Sequence, residues 1–190
     1  IDHGACCLTA TGEPFARLLA ALAAEGVVAR WSPRLVHLQA DGSRAVLAEP
    51  GWHVGVPGMR SVILRLADGV DVASDVDVGR LRRDGPDWRP EDRDGLPLGE
   101  YAAVVLAMPP EQALRLLPAG NALRLQVRRH RSVPCWALML GFDAPLPLDF
   151  DAADIRDDAL AWAMRESARP GRGDVEDWVV PATADWSAAR

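Results

Sequence analysis

Three observations predict a mixed α/β fold, α+β in texture. The run "YAAVVLAM" at 101–108 is continuously apolar, the composition of a strand buried on both faces within a helix-covered parallel sheet. Stretches with helical spacing, "TGEPFARLLAALAAEG" and "PEQALRLL", alternate with strand-like runs. From about residue 118 the strand-like runs crowd together as "PCWALMLGF", "LAWAMRES" and a segment at Trp178, the texture of an added antiparallel portion.

In the first helix Thr11 is the expected N-cap, Phe15, Leu18, Leu19 and Leu22 share one face, and Gly26 stops the run. "VVARW" at 27–31 reads as a strand, and residues 35–39 and 45–48 as a hairpin about "ADGS". The Pro57-Gly58 break leads into a second helix carrying Val62, Ile63 and Leu66, which Gly69 ends. Val70, Val72, Val76 and Val78 alternate at period two, and "RDGPD" is a turn. "NALRLQVRRHRSV" is expected to be helical, and the acidic, Pro-rich "DAPLPLDFDAADIRDD" to separate two strands. A last helix starts near Trp186.

The chain has 190 residues, 49% of them hydrophobic and 25% charged, which suits a soluble globular protein with one substantial core or two small ones. No apolar run approaches the ~20 residues a bilayer requires, so no membrane partner is expected. The net charge of -6 disfavours nucleic acid and anionic surfaces, and "RRHR" at 128–131 reads as a solvated face. Cys6, Cys7 and Cys135 form no disulfide framework, which points to a reducing, cytoplasmic setting. His3, His37, His53 and His130 fall in no ligand spacing, so no metal is expected. All 21 basic residues are Arg, and the chain therefore has no amine base or Schiff-base lysine.

Taken in order, "DHGACCLTA", "WHVGVPGM", a strand pair ending in Trp88, "VVLAMPPEQALRLL", "PCWALMLGFDAPLPL" and "LAWAMRESARPGR" resemble the bacterial renalase-like FAD-dependent oxidoreductases of the flavin amine oxidase superfamily. The resemblance runs along essentially the whole chain. It implies a partial FAD-binding Rossmann-like domain with an inserted antiparallel-sheet substrate domain. Residues 1–34 would be an FAD-domain segment near the isoalloxazine, 35–56 a substrate-domain hairpin, 57–117 an FAD-domain segment and 118–190 substrate domain. The family's GxGxxG turn, whose amides hold the cofactor pyrophosphate, would precede residue 1, and the segment completing the flavin site would follow residue 190. The chain is therefore expected to be an internal fragment, aggregation-prone when isolated because strand 101–108 would lack partners.

By resemblance Gly4 and Ala5 line the isoalloxazine ring, where family members carry Gln and an aromatic next and this chain has Cys6 and Cys7. Val78 matches a strand residue whose backbone pairs with the adenine edge. Ala107 and Pro109 belong to the segment passing the ribose and pyrophosphate. On the substrate side Trp162 would be a flat wall and Arg165 a cation for a carboxamide or phosphate. Each position also has a purely structural reading: a tight turn at Gly4, strand core at Val78, punctuation at 107–110, core at Trp162 and an ion pair at Arg165. Trp52 and Trp136 read as packing residues.

The implied activity is oxidation of a dihydronicotinamide-type dinucleotide by hydride transfer to flavin, with oxygen as acceptor. The missing lysine sets this ahead of the alternative, an FAD-dependent amine oxidase. An alternative of another class is a degenerate, non-catalytic binding module. Neither oligomeric state nor physiological substrate is fixed by the sequence.

Overall fold

The computed structural model describes residue 2 and residues 4–49, 51–155 and 157–190. In chain order the elements are α1 (Glu13–Ala24), β1 (Val28–Trp31), β2 (Leu35–Leu38), β3 (Arg44–Val46), β4 (Trp52–Gly55), α2 (Arg60–Leu66), β5 (Val78–Asp84), β6 (Asp87–Asp92), α3 (Pro110–Leu116), α4 (Leu123–Val127), β7 (Ala137–Phe142), β8 (Ala152–Ile155), β9 (Trp162–Arg165), β10 (Glu176–Pro181) and α5 (Ala184–Ala188). They fall into two units, residues 1–70 with 134–190, and residues 71–133. No helix among the described residues is long and apolar enough to cross a membrane. The fold is mixed α/β with several sheets, as the sequence predicts.

The first unit is organised by a six-stranded sheet of order β3-β2-β8-β9-β10-β7. Its one parallel pair, β2 with β8, joins antiparallel neighbours on either side. Successive strand residues point to opposite faces, and burial follows that alternation. Leu35, Ala152 and Met164 face one way with Trp31 and Val54, while Val36, Ala153 and Trp178 face the other with Phe150. Both faces are thus covered. Ala152 and Ala153 are fully buried, and their small side chains leave room for the indoles on each side. Strand β8 was not expected, because its "AADI" lies among acidic residues that read as a separator. Pairing on both edges overrides that local composition.

Helix α1 buries Leu19 and Leu22 against Val28 and Val62. The expected Thr11 cap is not used: Gly12 is the N-cap and no side chain bonds there. The adjacent two-stranded sheet pairs β1 with β4, and Leu8 adds a bridge to His53 in β4. After β4 the chain turns so sharply that a Cβ on Gly55 would lie 2.3 Å from the Gly58 carbonyl oxygen, so this position takes only glycine.

Behind Trp178 lies the unit's main charge network. The Arg165 guanidinium stacks 4.9 Å from the Trp178 ring centre, pairs with Glu176 at 3.1 Å and donates to the Leu146 carbonyl at 3.2 Å. Asp151, 3.8 Å from Arg165, is bound by Arg34 at 2.7 Å. Burial alone would raise the Glu176 carboxyl. The Trp178 indole N–H, the Leu146 amide and the Arg165 charge outweigh it and hold Glu176 below the usual carboxylate range.

In the second unit β5 and β6 form a hairpin, and α3 and α4 follow. Gly79 sits at an irregularity in the hairpin, where a Cβ would come 2.9 Å from the Arg93 Cα. Arg124 of α4 donates to the Leu114 and Leu117 carbonyls, satisfying the end of α3.

Several expectations are corrected here. Residues 102–108 form no strand; Tyr101 alone bridges to Trp88. Val104 and Leu106 are half-buried, whereas Val105 is 89% exposed, so one face is covered and the other bare. The segment has the composition of a central strand but no partner among the described residues to pair with. Val70, Val72 and Val76 are likewise exposed, and of that alternating run only Val78 enters a strand. The helix expected over 121–133 is confined to α4, and Trp136, expected to pack, is 60% exposed.

A carboxylate whose ionised form is favoured in the folded state stabilises the fold above its unfolded pKa of about 4.3, and that stability drains away as pH falls through the lower folded value. The melting temperature of the chain is therefore expected to drop as pH falls below about 4. Glu176→Gln should start less stable and show a shallower acid decline; identical slopes in the two proteins would contradict the assignment.

Candidate functional site

The segment Gly4–Cys7 has no regular secondary structure and is tied at both ends. At its C-terminal end Leu8 exchanges backbone hydrogen bonds with His53, at 2.7 and 3.0 Å. At its start the Asp2 carboxylate accepts the Met59 amide at 3.0 Å and pairs with Arg172, while its own amide donates to Glu166 at 3.1 Å. His3 lies outside the described residues.

Asp2 and Glu166 meet Arg169 and Arg172 in a cluster that is largely buried. Glu166 and Arg169 each retain 2% of their surface and pair at 2.8 Å. Arg169 also lies 5.0 Å from the Trp31 ring centre and 3.8 Å from the Met164 sulfur. Its Nε and Nη1, the Arg172 Nε and the His53 Nδ1 are buried without hydrogen-bond partners. Two carboxylates oppose two guanidiniums, so the cluster is balanced in charge.

Beside Gly4 and Ala5 opens a cleft of about 450 Å³, lined also by Asp2, Leu8, Met59 and Val62. A Cβ on Gly4 would meet nothing within 4 Å, so the backbone here faces open space. The wall is mostly apolar, which suits a flat, weakly polar face.

Behind the same segment stands a ladder of indoles. Trp31 and Trp52 are 5.6 Å apart between ring centres, and Trp52 and Trp162 meet edge to face at 6.0 Å. Cys6, Cys7, Met59 and Trp162 pack on this cluster, with Trp162 half-buried. Trp52 is a packing residue, as expected.

The Cys6 and Cys7 sulfurs are 3.6 Å apart. The hydrogen bond from Cys7, and after it the charge of Arg169, lowers the Cys6 thiol from 9.0 to about 6 against the opposing effect of burial. Cys7 is pushed up, by its bond to Cys6 and by burial. The two thiols are thus coupled: the first proton leaves more easily, and the second less easily, than from an isolated thiol.

The structure does not bring Trp162 and Arg165 together. They occupy opposite faces of the sheet: Trp162 shares a face with Met164 and Trp31, and Arg165 lies with Trp178 and Glu176. The guanidinium on the indole-ladder side is that of Arg169, which the sequence reading passed over. The spacing in "RESAR", which sets Glu166 and Arg169 three apart, is the one signal that could have found it.

In the second unit Val78 lines a cleft of about 520 Å³ with Asp77, Arg93, Met108, Gln112 and Arg115. Ala107 and Pro109 flank Met108, and both are exposed. A separate apolar cleft of about 360 Å³ runs under Val104 and Leu106 against Leu81, Trp88 and Leu117. Among the described residues no group of three or more His, Cys, Asp or Glu is placed to hold a metal ion.

No family model matches the sequence. The structure is similar to a crystal structure described as "Putative protoporphyrinogen oxidase" from Exiguobacterium sp. 255-15, with a TM-score of 0.54 and 15% sequence identity over 70% of this chain. The chain covers 30% of that protein, and the likeness is one of fold.

Alkylation of Cys6 should report the thiolate directly. In a Cys135→Ser background the rate of reaction with iodoacetamide is expected to be half-maximal near pH 6, and Cys7→Ala should move that midpoint up toward about 8.5. A midpoint near 8.5 in both proteins would contradict the pairing.

Proposed function

We propose that this chain is part of an FAD-dependent oxidoreductase of the renalase-like kind, acting on a dihydronicotinamide-type substrate with oxygen as acceptor. The observation that carries the reading is the open backbone of Gly4, next to Ala5 on the wall of a largely apolar cleft. The fold likeness to a protein described as an oxidase supports it. So does the ordered resemblance of the six sequence segments.

By the resemblance, each unit offers residues toward a different part of FAD. Gly4 and Ala5 would lie against the isoalloxazine, where the absence of bulk leaves the ring face accessible. The Val78 backbone would meet the adenine edge, and the exposed Ala107 and Pro109 would border the ribose. A pyrophosphate cradle is not among the described residues: α1 starts at Gly12 with Pro14 in its first turn, and α3 starts at Pro109-Pro110. In the first unit Gly4 and Ala5 are thus candidates for the ring, and in the second Val78, Ala107 and Pro109 are candidates for the adenine and ribose. FAD supplies the hydride-accepting chemistry when bound.

The chain's own contribution is alignment and exclusion of water. Trp162 would wall the substrate ring as an apolar plane held by Trp52. Arg165, committed to Glu176, Asp151 and Trp178, would fix strand β9 and so the height of that wall. The absence of any lysine ranks amine oxidation second.

The test is made on the longer parent polypeptide. It should purify with the visible spectrum of an oxidised flavin, which a dihydronicotinamide isomer bleaches anaerobically and simple amines do not. Bleaching by amines alone would favour the amine oxidase, and a colourless protein that takes up no added FAD would overturn the proposal.

A further inference from the structure

Cys6 and Cys7 are not needed by the proposed reaction, and their arrangement suits another. We propose that they form a reversible dithiol–disulfide site, oxidised by a hydroperoxide, with Cys6 attacking and Cys7 resolving. Nothing in this assignment depends on bound flavin.

The geometry carries it. Sulfurs 3.6 Å apart are in contact with no atom between them, and a bond of about 2.05 Å requires an approach of only about 1.5 Å. Neighbouring Cα atoms lie about 3.8 Å apart, closer than the ~4.4–6.8 Å usual for a disulfide, so closure must turn the intervening peptide. Residues 5–7 belong to no helix or strand, while the ties at Asp2 and Leu8 fix the segment on either side. Local adjustment is therefore possible without moving the fold. Both cysteines are half-buried. The buried Arg169, with two guanidinium nitrogens lacking hydrogen-bond partners, favours a thiolate at Cys6, and the Glu166 carboxylate beside it opposes this to a smaller extent. Cys135 is a separate thiol beside Ala182 and Trp136.

The chemistry balances. The Cys6 thiolate attacks one peroxide oxygen; an S–O bond forms, the O–O bond breaks, and the departing hydroxide takes a proton to become water. The Cys7 thiol then attacks the Cys6 sulfur; an S–S bond forms, the S–O bond breaks, and the second oxygen leaves as water with the Cys7 proton. Two electrons pass from the two sulfurs to one hydroperoxide.

The experiment uses the full chain carrying Cys135→Ser, treated with hydrogen peroxide. The intact mass should fall by two hydrogen atoms, both thiols should be lost to maleimide together, and dithiothreitol should restore them. Added Cys7→Ser should halt oxidation at a Cys6 sulfenic acid trapped by dimedone, and Cys6→Ser should react at least about tenfold more slowly. Without further mutation, phenylarsine oxide should bind one per chain and protect both thiols, because two sulfurs at this separation can bond one thiophilic atom. Independent oxygen addition to each sulfur, disulfides only between molecules, equal rates in the two variants, or failure of the arsenical to protect the pair would each overturn the proposal.

Discussion

The neutral cluster of Asp2, Glu166, Arg169 and Arg172 is the interaction on which the first unit's surface depends. Removing one member would strand the others: an unpartnered charge at sites where Glu166 and Arg169 have almost no solvent contact costs several kcal/mol. The cluster joins three stretches distant in sequence, the chain start, the head of α2 at Met59 and the loop after β9. Between that knot and the Leu8–His53 bridge runs Gly4–Cys7, open at Gly4 and packed on the indole cluster at Cys6 and Cys7. Every feature assigned to the site, the open glycine, the apolar cleft and the paired thiols, sits on that span.

The second constraint is the alternation of the six-stranded sheet. Because Trp162 and Arg165 lie three positions apart, they cannot face the same side of β9. One becomes part of the indole ladder and the other the centre of the Glu176 network. That separation divides labour: one face is built around indoles and sulfur, the other around a guanidinium that pairs with Glu176 and stacks on Trp178.

Much of this was legible beforehand. The α1 run, the β2–β3 hairpin, the "RDGPD" turn and the strands at Ala137, Trp162 and Trp178 all carry their signal locally, in periodicity or turn residues. Strand β8 does not, since only its neighbours on both edges make "AADI" a strand. The run at 101–108 fails in the opposite sense: its composition is that of a sheet centre, yet strand structure needs a paired neighbour and composition cannot supply one. At the site, the small residues at Gly4 and Ala5 could be picked out by motif. The Arg169 cluster could not, because its members lie as far apart as Asp2 and Arg172 and become partners only through the fold. The same holds for the Cys6 thiolate, whose acidity arises from Cys7 and Arg169 together.

The clamp on the chain start can be measured directly by a double-mutant cycle between Asp2 and Arg172, followed by chemical denaturation. Asp2→Asn keeps a hydrogen-bonding group for the Met59 amide and removes only the charge, and Arg172→Met keeps the stem and removes the guanidinium. A coupling energy of about 0.5–3 kcal/mol between the two, with faster amide exchange at Met59 and Leu8 in either variant, is the predicted result. Additivity within about 0.3 kcal/mol with unchanged exchange would contradict it.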